Sequence, residues 1–133
     1  MSFTKQVQYA IQMLIHIENS TGHLLTVKEI ADKRDLPHNF LQKIAQNLTR
    51  NNIIESKRGR NGGVKLKKPS DEITVKEIIR VVDGPSGHDC IIGEYSCTPE
   101  NLCHVCSHYN SHFAELYFNT TLKNLMTKEH CCK

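Results

Sequence analysis

Asp35-Leu36-Pro37-His38-Asn39-Phe40-Leu41-Gln42-Lys43-Ile44 decides how this chain folds. Its first three residues turn the backbone, because proline fixes its own φ and biases the preceding residue away from helix. Pro37 then sits in the first turn of a helix, where its missing N–H costs nothing. Phe40, Leu41, Ile44, Ala45 and Leu48 recur at helical spacing. That pattern predicts a helix that buries all five and stops at Asn51-Asn52. Just upstream, Thr26-Val27-Lys28-Glu29 is a capping-box pattern, and it opens a short helix running to about Arg34. Two short helices joined by a tight turn, the second with a polar first turn, form the helix-turn-helix pattern.

Working outward, residues 4–18 place Val7, Ala10, Ile11, Leu14 and Ile15 on one helical stripe, widened by Met13 and Ile17. Asn19-Ser20-Thr21-Gly22 ends that helix, with Gly22 as a left-handed stop. Downstream of the helix pair, Ile53–Lys57 and Val64–Lys67 have strand-like content and flank Arg58-Gly59-Arg60-Asn61-Gly62-Gly63. Asn-Gly followed by another glycine is a hairpin signal, since these residues accept positive φ. A hairpin directly after a helix-turn-helix makes a wing. From Lys57 to Lys68 the chain carries six basic residues and no acid, the footprint expected of a contact with a phosphate backbone.

Thr74-Val75-Lys76-Glu77 is a second capping box, heading a helix with Val75, Ile78, Ile79 and Val82 on one face. Asp83-Gly84-Pro85-Ser86-Gly87 breaks it. Cys90, Cys97, Cys103 and Cys106 follow, four of the chain's six cysteines, spaced C-x6-C-x5-C-x2-C. Gly93 and Thr98-Pro99 give that stretch loop character. Such a loop has little apolar surface to bury, so a bound metal would have to order it; soft sulfur selects zinc, Cu(I) or an iron–sulfur cluster. Buried or disulfide-bonded thiols are the plainer alternative. After Cys106 a helical pattern resumes with Phe113, Leu116 and Tyr117 on one side, extended by Phe118 and Leu122; it reads as a helix packing against a second subunit, with folding back on its own domain as the plainer alternative. Thr121–Met126 reads as a short closing helix, and Lys128–Lys133, with the adjacent Cys131 and Cys132, as a polar tail.

The expected architecture is mostly α with a minor β part. Residues 1–83 form a winged helix-turn-helix unit, 84–106 a cysteine-rich loop, 107–127 a long dimerisation helix with its closing helix, and 128–133 the tail. A chain of 133 residues is long enough to bury a core without staples. The start reads as a mature N-terminus without a leader, and no apolar run is long enough to span a bilayer. Both features point to the cytoplasm, where clustered cysteines act as ligands or sensors. Net charge is +3, but residues 1–83 hold 14 Lys/Arg against 9 Asp/Glu, and residues 84–133 hold 3 against 5. Little favours an enzyme. Arg58–Gly63 lacks the helix that follows a phosphate-binding glycine loop, His16 lies in an apolar helix, and Cys103–His104 is better explained by metal ligation.

Together the motifs Phe40–Ile44 with Leu48, Ser56–Gly63, Ile73–Ile79 and the cysteines Cys90, Cys97 and Cys103 resemble the IscR/NsrR type of bacterial regulator, the Rrf-two family. The resemblance runs from Thr4 to about Met126. It implies a homodimeric winged-helix transcription factor on palindromic double-stranded DNA, with a [2Fe-2S] or [4Fe-4S] cluster controlling operator binding in response to iron, oxygen or nitric oxide. The IscR-like pattern has a histidine where this chain has Cys106, and the acidic position of NsrR-like members corresponds to Gln8. Cys106 is therefore the expected fourth ligand, with His104 and His108 as nearby substitutes. The resemblance places Arg58 at the wing tip, entering a minor groove, assisted by Arg60, Asn61 and Gly62. His38, Asn39, Gln42 and Lys43 would read the major groove, while Thr4, Lys5 and Lys65 would meet phosphates. Two other readings keep the winged helix: a zinc-stabilised form, and a metal-free thiol sensor such as a regulator of cysteine metabolism.

Overall fold

The first helix starts where Thr4 caps it: the threonine hydroxyl accepts from the Val7 N–H and donates to the Asp83 carboxylate at 3.0 Å. The computed structural model describes residues 4–20, 23–84 and 119–126, so all six cysteines, Gly22, most of the expected dimerisation helix and the tail lie outside the described residues. Helix α1 spans Lys5–Asn19, α2 Val27–Arg34 and α3 His38–Arg50. Strands β1, Ile54–Lys57, and β2, Gly63–Leu66, form an antiparallel hairpin with Ile54 opposite Leu66 and Lys57 opposite Gly63. Helix α4 covers Val75–Asp83 and a last short helix, α5, Leu122–Leu125. The described residues are thus helix-dominated with one two-stranded sheet, as the motifs predict.

Local chemistry explains the boundaries. The capping box of α2 is complete: Thr26 accepts from the Glu29 N–H at 3.1 Å, and Glu29 accepts from the Thr26 N–H at 2.8 Å. Hydrogen bonds to its carboxylate from the Thr26 N–H first, then from the Thr26 side chain, hold the Glu29 carboxyl below its ordinary pKa. The second box is only half made. Thr74 caps the Glu77 N–H, but the Glu77 carboxylate turns to Lys68 at 2.8 Å. Asp35 ends α2 at φ 53, and Pro37 stands at the N-cap of α3, one residue ahead of the expected first turn. Where α1 meets α2, the Arg34 Nε donates to the Nδ1 of the half-buried His16 at 3.2 Å.

One core serves all these elements. Met13, Leu14, Ile30, Leu41, Leu48, Ile53, Ile73, Ile78 and Leu122 are all but sealed from water. Full burial of such a side chain contributes about 1.5–3 kcal/mol. The face of α1 that goes inside is Val7, Ala10, Met13, Leu14 and Ile17; Ile11 and Ile15 stay at its edge. Residues 119–126 join the same core. Leu122 is 0% exposed, its N–H donates to the Ile73 carbonyl at 2.8 Å, and the Val75 N–H donates to the Thr120 carbonyl at 2.9 Å.

One expectation fails. Phe40 is not buried with the rest of α3 but is 53% exposed. At about 100° per residue, Leu41, Ile44, Ala45 and Leu48 share an arc of about 100°, and Phe40 lies about 40° beyond Ile44. The helix face that meets the core is narrower than the apolar run suggests.

The hairpin forms as expected, for a different reason at its glycines. Gly59 is the position with positive φ, at 120°, whereas Asn61, Gly62 and Gly63 are not in that region. Gly62 and Gly63 are needed for close approach. A Cβ at Gly62 would stand 2.2 Å from the Lys57 carbonyl oxygen, and one at Gly63 would stand 2.6 Å from that of Leu25. Leu25 bridges Val64 in antiparallel fashion, so β2 is held on both sides.

Candidate nucleic-acid interface

Helix α3 sorts its side chains into two opposed stripes. Leu41, Ile44, Ala45 and Leu48 face the core, and Asn39, Lys43, Gln46 and Arg50, spaced 4-3-4, are exposed on the other side. His38 and Gln42 are exposed along one flank of that outward stripe, and Phe40 stands on the other. The four residues expected on this helix are therefore all accessible, with Asn39 and Lys43 nearest its crest. Gln46 and Arg50 are additions. Their signal was the same spacing continued beyond the first turn.

The wing presents a second cationic edge. Arg58, Arg60 and Asn61 lie in the exposed turn between β1 and β2, which Gly62 closes by donating its N–H to the Gly59 carbonyl at 3.0 Å. The six basic residues from Lys57 to Lys68 divide in two. At the foot of the wing, Lys65 pairs with Glu55 at 2.9 Å, Lys67 donates to Asn52 at 3.1 Å, and Lys68 pairs with Glu77. At the tip, the side chains of Lys57, Arg58 and Arg60 bond to no described residue. Unpaired cations on an exposed turn are free to meet an external anion without first breaking an internal pair.

Two of the expected phosphate contacts are otherwise engaged. The Thr4 hydroxyl is committed to Val7 and Asp83, and Lys65 to Glu55. Lys5 is exposed on the first turn of α1. Among the described residues no group of three or more His, Cys, Asp or Glu side chains is gathered in a way that would hold a metal, and no helix is long and apolar enough to cross a membrane. The thiols expected to hold a metal, Cys90, Cys97, Cys103 and Cys106, lie outside the described residues; their chemistry would suit iron–sulfur or zinc.

Residues 3–128 match the model of a family described as Rrf2, iron-dependent transcriptional regulator. The chain belongs to the Rrf2 family. This membership places it among transcriptional regulators rather than enzymes. A Rhizobium meliloti relative, protein aau3, is 38% identical over 105 residues, covering 77% of this chain and 68% of the relative. The regulator NsrR of Bacillus licheniformis is 29% identical over 140 residues, covering 100% and 98% of the two chains. Among solved Rrf2-like folds, CymR, the global cysteine regulator of B. subtilis, superposes with a TM-score of 0.76 at 24% identity, covering 95% of this chain and 96% of CymR. At that identity the superposition speaks for the fold alone.

Proposed function

We propose that this Rrf2 protein is a homodimeric DNA-binding regulator whose operator affinity is set by an iron–sulfur cluster held by Cys90, Cys97, Cys103 and Cys106. One observation carries the DNA half: in a chain that belongs to a family of transcriptional regulators, the outward stripe of α3 and a wing tip whose cations bond to no described residue are exposed polar edges. Asn39 and Gln42 are suited to pair bidentately with adenine in the major groove, Lys43 with guanine. Arg58 at the tip is suited to a narrowed minor groove, where negative potential is concentrated. Lys57, Arg60 and Arg50 would neutralise phosphates and fix the register without reading sequence. A two-fold dimer would match a palindromic operator.

The sensing half rests on donor chemistry and on the iron dependence in the family's description. A cluster, when bound, supplies a redox-active and oxygen-labile bridge between thiolates. Cys90 comes seven residues after the end of α4 in the sequence, and the last residue of that helix, Asp83, is hydrogen-bonded to the cap of α1. A change beyond Gly84 thus has a direct connection into the reading unit. Couplings of this kind are typically about 1–3 kcal/mol, or 5- to 150-fold in affinity. A second reading is a metal-free thiol sensor, in which the same cysteines respond to oxidants directly; zinc in the same four thiols is a third.

Oxygen-free purification with iron and sulfide counts, a visible spectrum and operator titrations before and after cluster removal tests the proposal. Iron and sulfide bound to the chain, and an affinity that shifts at least fivefold on their removal, are expected. Cys90→Ser, Cys97→Ser and Cys103→Ser together should freeze the affinity at the cluster-free value. Protein isolated without iron or sulfide, yet binding its operator, would leave the thiol reading in place.

A further inference from the structure

Helix α3 contains one side chain in the wrong place for its chemistry. Leu41, Ile44 and Leu48 are at most 3% exposed, while Phe40, in the first turn of the same helix, is 53% exposed. Its neighbours on the outward side are Asn39 and Lys43, both exposed and polar. No other large hydrophobic side chain among the described residues is comparably exposed. An isolated ring of this kind is far short of a protein-docking face, which buries about 800 Å² per partner and draws on many residues. What suits it is a single apolar knob set among hydrogen-bonding groups.

The major groove offers that pattern. Each base pair presents donors and acceptors there, and thymine alone adds a methyl group, which phenylalanine contacts favourably. Resting on the DNA-reading function proposed above, we infer that Phe40 is a specificity-determining residue whose ring packs on the 5-methyl group of a thymine in each half-site. The division of labour follows from position. Asn39 and Lys43 supply hydrogen bonds to base edges, and Phe40, one residue and three residues away respectively, supplies the apolar contact beside them. The contact discriminates thymine from cytosine and from uracil, which lack the methyl group.

The test uses the full-length chain in its DNA-binding form. Operators are first selected from a random duplex pool, and each thymine of the winning site is then replaced symmetrically by deoxyuridine. With wild type, one position should lose about fourfold in affinity per half-site, the worth of one buried methyl-sized group. Phe40→Ala should bind the thymine operator about as weakly as wild type binds the uracil one, and show no further loss on uracil. Phe40→Leu should keep part of the methyl dependence. Uracil without effect at every position, or Phe40→Ala as sensitive to uracil as wild type, overturns the inference. A Phe40→Ala loss that is equal on thymine and uracil duplexes, with the wild-type methyl dependence unchanged, assigns the ring to another surface and also overturns it. If wild type enriches no sequence at all, the DNA-reading function itself fails, which is distinguishable from a failed methyl contact.

Discussion

Two edges of this molecule treat their polar groups in opposite ways. Where α4, the 70–75 segment and α5 meet, donors and acceptors are consumed internally: Leu122 and Lys123 donate to Ile73 and Ser70, Val75 to Thr120, and Lys68 pairs with Glu77. Along the edge proposed to read DNA, Asn39, Lys43, Gln46, Arg58 and Arg60 are exposed, and the wing-tip cations have no partner among the described residues. A folded chain gains little by leaving cations unpaired, but an exposed surface pair would contribute only about 0–1 kcal/mol in any case. Keeping the tip free therefore costs stability almost nothing and preserves charge for a polyanion. The satisfied edge holds the fold; the exposed edge is the one proposed to meet DNA.

The largest expected effect breaks the satisfied edge. Leu122→Ala should cost about 2–5 kcal/mol of stability, because the side chain is sealed in the core and its loss leaves a cavity. Operator affinity per folded molecule should be unchanged. Denaturant titration and DNA binding on the same preparation check both halves. A variant as stable as wild type would mean that residues 119–126 do not close the core.

A smaller effect is expected on the other edge, and of the opposite kind. Arg58→Ala should weaken operator binding by about tenfold, about 1.4 kcal/mol, while stability stays within about 0.5 kcal/mol. Lys65→Ala, at the foot of the same wing, should change affinity far less, since that ammonium already pairs with Glu55. Equal losses from the two substitutions, measured by fluorescence anisotropy at one salt concentration, would erase the distinction between tip and foot.

Much of this contrast was legible in the sequence. The Thr26–Glu29 box, the Pro37 turn and the glycine-rich wing each have a local physical cause, so their residues were sufficient to place α2, α3 and the hairpin. What the sequence concealed depends on tertiary partners. Nothing local says that Glu77 leaves its capping box for Lys68, or that Gly62 and Gly63 are required by the nearby carbonyls of Lys57 and Leu25. Phe40 misled because apolar spacing says which residues could share a face, not how wide the facing core is. The Lys65–Glu55 pair was likewise not legible, because the partner lies across the hairpin. On the interface, the first turn of α3 was readable as a polar helix start, whereas Gln46 and Arg50 needed the helix to be seen as one continuous outward stripe.

The smallest expected effect concerns pH and the inner end of the same comparison. Arg34, unlike Arg58, is bonded within the molecule, donating to His16 Nδ1. Burial, then the charges of Arg34 and Lys33, hold the His16 pKa below its ordinary value of 6.5. Protonation would remove the acceptor that Arg34 uses and place cations side by side. In the unfolded chain His16 takes up its proton around pH 6.5, while in the folded chain it does so only at lower pH. Between those values the unfolded state binds more protons, so stability falls as pH falls through this window and is fully present above it. Wild type should therefore lose denaturant resistance between pH 7 and about 5 more steeply than His16→Asn, a window above the ordinary carboxylate range. Parallel curves for the two proteins would show that the Arg34–His16 contact carries no proton linkage, and that the inward arginine is as indifferent to its surroundings as the outward one.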